Sequence, residues 1–126
     1  MHILVAVPQK NGMPRGKGIR VYEINNGAWE LKQIAKGQVN PSYLCLNEKQ
    51  DRLYAIHGDF SEVSAYKVAE DGTLTYQNTT ETHGTNPVHL TIDRTGKWLF
   101  VANLQTGGVF CDSSRGRWIS RKRLRN

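Results

Sequence analysis

Asn40-Pro41-Ser42-Tyr43-Leu44-Cys45-Leu46 is the stretch that decides the fold, because it returns 46 residues later as Asn86-Pro87-Val88-His89-Leu90-Thr91-Ile92. The next segment, Arg52-Leu53-Tyr54-Ala55-Ile56-His57, returns at the same offset as Trp98-Leu99-Phe100-Val101-Ala102-Asn103. Towards the N-terminus, Val63-Ser64-Ala65-Tyr66-Lys67-Val68 with Asp71-Gly72 has a counterpart in Ile19-Arg20-Val21-Tyr22-Glu23-Ile24 with Asn26-Gly27. Each segment is a short alternating apolar run bounded by turn residues, and helical periodicity is absent throughout. Such runs are strands.

A repeat of this length built from short strands is the pattern of β-propeller blades, about four strands each. The expected strands of one blade are 42–46, 53–57, 63–68 and 73–79, with Asp71-Gly72 closing the last hairpin. The next blade starts with 88–93 and 98–103, and Ile3–Val7 matches a second strand. The fold class is all-β: a partial β-propeller of about two four-stranded blades plus the start of a third. In such a meander the connections alternate between the two ends of the blade. The segments 8–18, 58–62, 82–87 and 104–108 therefore share one face, and His57, Asp59, His83, Asn86, His89, Asn103 and Gln105 gather on or beside it. Converging polar groups at that mouth make it the candidate site.

Composition narrows the class further. The chain has a formal charge of +6, but residues 110–126 hold six basic side chains against Asp112, while residues 1–109 hold eleven basic and ten acidic ones. The body is nearly neutral. Cys45 and Cys111 form neither a metal-ligand spacing nor a disulfide framework, and Cys45 reads as a small buried apolar residue. No stretch has transmembrane length, and Ile3–Val7 is too short for a signal sequence. The expectation is a cytoplasmic protein with no metal, no cofactor, no membrane and no nucleic acid among its partners, and with its oligomeric state left open.

The ordered set Lys17-Gly18-Ile19-Arg20-Val21-Tyr22, Asn40-Pro41-Ser42-Tyr43-Leu44 and Arg52-Leu53-Tyr54-Ala55 resembles the lactonase family of seven-bladed β-propellers. Asn86-Pro87-Val88-His89-Leu90 and Asp93-Arg94-Thr95-Gly96-Lys97-Trp98-Leu99-Phe100-Val101-Ala102-Asn103 extend the resemblance over residues 1–109. It implies hydrolysis of a sugar-acid lactone such as 6-phosphogluconolactone, a small-molecule substrate, by water activated with a side-chain base. It also implies that this chain is an N-terminal piece, inactive alone. His89, at the family's Pro-x-His position, is the candidate catalytic residue, as general base or substrate hydrogen-bonding group; the alternative is a half-buried histidine capping the crossover. His57, Asn86 and Asn103 are candidate substrate-binding residues. The competing function is a non-catalytic repeat module that binds a protein or ligand.

Beyond Val109 the repeat calls for an alternating strand and an Asp-Gly turn, whereas the sequence turns into Phe110-Cys111-Asp112-Ser113-Ser114-Arg115-Gly116-Arg117-Trp118. The expected division is an incomplete propeller over 1–109 and a basic tail over 110–126. A shift of one nucleotide forward from Phe110 permits codons that read Ser-Val-Ile-His-Pro-Ala-Asp-Gly, so out-of-frame translation is the expected origin of the tail. Repeat arrays need about three units to bury their faces. The isolated chain is accordingly expected to be marginally folded.

Overall fold

The computed structural model describes residues 2–7, 18–37, 40–58, 60–106 and 108–113. The 8–17 segment, Asp59 and the tail from 114 onward lie outside the described residues. Within the described residues, ten strands follow in chain order: β1 (His2–Val7), β2 (Gly18–Asn25), β3 (Ala28–Ala35), β4 (Pro41–Leu46), β5 (Arg52–His57), β6 (Glu62–Val68), β7 (Leu74–Glu81), β8 (Pro87–Ile92), β9 (Trp98–Asn103) and β10 (Gly108–Ser113). They form three antiparallel sheets, β1-β2-β3, β4-β5-β6-β7 and β8-β9-β10. One complete four-stranded blade therefore stands between two three-stranded neighbours. The partial propeller of the sequence reading is the fold.

The middle blade shows why both faces of a strand are apolar here. Along β5, Leu53 and Ala55 join Ile19, Val21, Ala35, Tyr66 and Leu74 in the layer against the first sheet. Tyr54 and Ile56, on the opposite face, join Val63, Ala65, Leu90, Leu99 and Val101 in the layer against the third. Successive side chains point to opposite faces, so a strand covered on both sides reads as a continuous apolar run. Each leucine, isoleucine or valine among them contributes roughly 1.5–3 kcal/mol when fully buried. The outermost β7 is half exposed, with Tyr76 open to solvent.

Local chemistry sets where the strands turn. Asn26 and Gly27 both have positive φ (52° and 80°) and join β2 to β3 as a two-residue hairpin, the geometry that Asn-Gly favours. Between β4 and β5, the Asn47 side chain accepts hydrogen bonds from the Asp51 and Arg52 amides, both at 3.0 Å. At the same offset between β8 and β9, Asp93 accepts from the Lys97 and Trp98 amides, both at 3.1 Å. An Asx side chain thus replaces backbone partners in both turns. Pairing with β9 carries β10 through Phe110, Cys111 and Asp112 to Ser113.

Candidate functional site

The crossover face is held together by main-chain hydrogen bonds. Asn86 donates its amide to the Phe60 carbonyl at 2.8 Å, and Thr82 donates to Ser61 at 2.7 Å. Leu104 and Gln105 donate to Asn86 and Thr85 at 2.9 and 3.3 Å. The connection into the third blade is thereby tied to the β5–β6 loop and to the end of β9. Asn40 and Asn86 both sit at positive φ, 48° and 57°, immediately before a proline. Asparagine tolerates that conformation better than most residues. The Asn40 carbonyl accepts from the Gly58 amide at 3.1 Å as that of Asn86 accepts from Leu104. Asn86 thus supplies both main-chain groups to the crossover.

His89 lies on β8, the inner strand of the third sheet, and is exposed to solvent. It is not the half-buried cap that the sequence left as its alternative. Its ring meets that of Tyr43, on the inner strand of the middle blade, with centroids 5.1 Å apart and planes tilted by 47°. Tyr43 occupies the position 46 residues before His89. Both follow a bulge, between Pro41 and Tyr43 in one blade and between Pro87 and His89 in the other. A bulge re-aims the side chains beyond it, and here it brings the two rings together across neighbouring inner strands.

His57 is buried, and its Nε2 lies 2.7 Å from the Ser64 hydroxyl. Ser64 is 2.9 Å from the Thr79 hydroxyl, which is 2.7 Å from the phenol of Tyr76. A hydrogen-bonded chain therefore crosses the middle blade from β5 to the solvent-exposed ring on β7. Asn103 occupies the equivalent place at the end of β9. It too is buried, and its side-chain oxygen accepts from the Thr82 hydroxyl at 3.3 Å. Gly84 packs so closely on the Asn103 amide that a Cβ there would overlap it.

The sequence-derived candidates therefore separate into two groups. His89 is exposed on the inner wall, and His83 is exposed on the crossover with φ 58°. His57 and Asn103 are internal, and Asn86 is partly buried. Asp59 lies outside the described residues. Two participants escaped the sequence reading. Tyr43 could have been found as the repeat partner of His89, and Ser64 as the one serine in the run Val63-Ser64-Ala65-Tyr66. What this arrangement offers chemically is an imidazole on an open wall, in contact with an aromatic ring. Among the described residues no cluster of side chains suits a metal ion, and no helix is long and apolar enough to cross a membrane.

The sequence profile of the family described as "Lactonase, 7-bladed beta-propeller" matches residues 2–115. A 6-phosphogluconolactonase of Formosa agariphila is 31% identical over 98 residues, which are 70% of this chain and 27% of that protein. One from Yersinia pestis is 35% identical over 94 residues, 71% of this chain and 27% of its own. Among solved structures, a candidate 6-phosphogluconolactonase of Bacteroides fragilis superposes with a TM-score of 0.80 at 28% identity, over 94% of this chain and 34% of that one. Another from Bacteroides uniformis gives 0.79 at 26% identity, over 98% and 37%. The chain thus spans about a quarter of the length of these curated relatives.

Proposed function

Because the chain belongs to the lactonase family of seven-bladed β-propellers, we propose that its three sheets form one sector of a ring that hydrolyses a sugar-acid lactone, 6-phosphogluconolactone being the first candidate. The observation that carries this reading is the family match from residue 2 to residue 115. The names of the curated relatives supply the candidate substrate.

In this reading His89 takes a proton from water as the water oxygen adds to the lactone carbonyl. The ring C–O bond then breaks, and the proton passes to the departing alkoxide. Positioned acid–base groups of this kind are worth about 10²–10⁴ in rate. The exposed inner-wall position of His89 and its contact with Tyr43 support the role, since the imidazole is open to water and packs against an aromatic ring. His57 and Asn103 act from behind the wall by fixing strand ends. Asn86 sets the entry of β8.

One sector holds only part of such a mouth, so the 126-residue chain alone does not turn over the lactone. The test is hydrolysis of 6-phosphogluconolactone by this chain and by a frame-restored form extended to the length of its relatives. Turnover by the extended form, with none above buffer by the short chain, is the expected result. No turnover by a folded, extended form would overturn the lactonase assignment. Turnover by the short chain would overturn the need for the remaining sectors.

A further inference from the structure

On the end of the sheets opposite the candidate site, the β4–β5 turn and the β8–β9 turn enclose a groove of ≈ 310 Å³. Its walls carry Lys49 and Arg52 from the middle blade and Arg94 and Lys97 from the third, and buried Tyr54 reaches its floor. The acidic side chains lining it are Glu48 and Asp51. Asp51 already accepts from the Asn47 amide group at 2.6 Å. Arg52 donates one guanidinium N–H to the Asp51 carbonyl at 3.1 Å. Among the described residues none of the four cations is in an ion pair, the salt bridges there being those of Lys32. Four cations against two carboxylates leave the groove net positive.

Its walls are also rigid. Each turn is locked by its Asx side chain onto two amides, and each holds a residue at positive φ, Gln50 at 58° and Gly96 at 71°. The two turns are fixed relative to each other by the apolar layer of Tyr54, Ile56, Val63, Leu90, Leu99 and Val101 beneath them. Turns fixed in this way set the positions from which the cations extend, and a guanidinium fork matches phosphate oxygens in pairs. A volume of about 300 Å³ is at the small end of ligand pockets. It suits a compact ligand.

We propose that this inter-blade groove is a binding site for the phosphate group of a small phosphorylated molecule, with Arg52 and Arg94 as its principal ligands and Lys49 and Lys97 at its rim. The site is built from two complete turns of adjacent blades, and it is independent of the lactonase reading and of the crossover face.

The test is calorimetric titration of the full chain with pyrophosphate, with citrate as a carboxylate of similar charge. Saturable pyrophosphate binding, at least tenfold weaker in the Arg94→Glu/Lys97→Glu chain, is expected. Citrate should bind at least fivefold more weakly than pyrophosphate. Reversing two charges of the basic tail, Arg121→Glu/Lys122→Glu, should change the affinity less than twofold. If charge reversal in the groove unfolds the chain by circular dichroism, Arg94→Gln replaces it, with an expected loss of about threefold. No saturable binding, equal affinity after groove substitution, or a loss confined to the tail variant would each overturn the proposal. Citrate binding as tight as pyrophosphate would overturn the assignment of phosphate.

Discussion

Residues 40–46 and 86–92 are the same piece of architecture with different chemistry. Both begin with an asparagine at positive φ, whose carbonyl accepts an amide from the end of the adjoining second strand. Both continue with a buried proline and a bulge. After the proline they part, Ser42 against Val88 and then Tyr43 against His89, the last two both exposed and in ring contact. Where the backbone sets the requirement, the repeat keeps the residue. On the open inner wall no packing dictates the side chain, and the repeat changes it.

That contrast can be broken at several depths. Leu53 and Leu99 are repeat partners, 1% and 0% exposed in the two inter-blade layers. Replacing either by Ala should cost about 3 kcal/mol through lost transfer energy and the cavity left behind, read as a lower urea midpoint. Equal losses at the two sites would show that the layers are equivalent.

Asn40→Ala comes next. It deletes the side-chain hydrogen bond to the Gly58 carbonyl, 2.9 Å and buried, and forces alanine into positive φ. The expected cost is about 2 kcal/mol. Asn40→Gly retains the conformation and should cost roughly half as much. Thermal melts that rank the two variants the other way would refute a backbone role for this residue. Ser64→Ala strips the middle link from the His57–Ser64–Thr79 chain and should cost about 1–2 kcal/mol. Thr79 keeps Tyr76 as a partner, so the loss falls mainly on the buried imidazole.

At the exposed positions the effects on stability should nearly vanish. Tyr43→Phe and His89→Ala are each expected within about 0.5 kcal/mol of the parent. A larger drop would mean that the inner wall is structural and that its departure from the repeat carries no function. Smallest of all at neutral pH is Tyr66→Phe, since the buried Tyr66 hydroxyl has no hydrogen-bond partner among the described residues. Burial pushes this phenol up to about 12 from its ordinary 10.0. The folded chain therefore holds the proton that the unfolded chain releases. Stability from this source is complete below pH 10 and is lost as pH rises through 12. Denaturation midpoints of Tyr66→Phe should fall less steeply over that window.

Much of the fold was legible because the blade repeats. The second strand of the third blade was read over Trp98–Asn103 and stands there, and the strands expected at 3–7, 42–46, 53–57, 63–68, 73–79 and 88–93 agree within two residues at their ends, whereas β3 was not anticipated and β10 runs to Ser113, into the stretch assigned to the basic tail. The Asx turns were legible as polar turns, although not as a repeated device in which Asn47 and Asp93 each accept two amides. The candidate site was less legible. Sequence placed His57, Asn86, His89 and Asn103 on one face, but only spatial packing separates the two buried strand-end residues from the exposed wall. Alternation alone cannot supply that distinction, because a neighbouring blade covers the second face of β5 and β9 and turns ordinarily outward residues inward. Tyr43 was overlooked because an aromatic residue in an alternating run reads as core, whereas the bulge beside it brings the ring to an open wall.

The most direct test is kcat/KM for 6-phosphogluconolactone hydrolysis by a form extended to the length of its relatives and carrying His89→Ala, beside its neighbour Val88→Ala. The account predicts a loss of about 10²-fold for His89→Ala, an unchanged melting temperature, and less than a twofold change for Val88→Ala. Equal turnover by the parent and His89→Ala would contradict it.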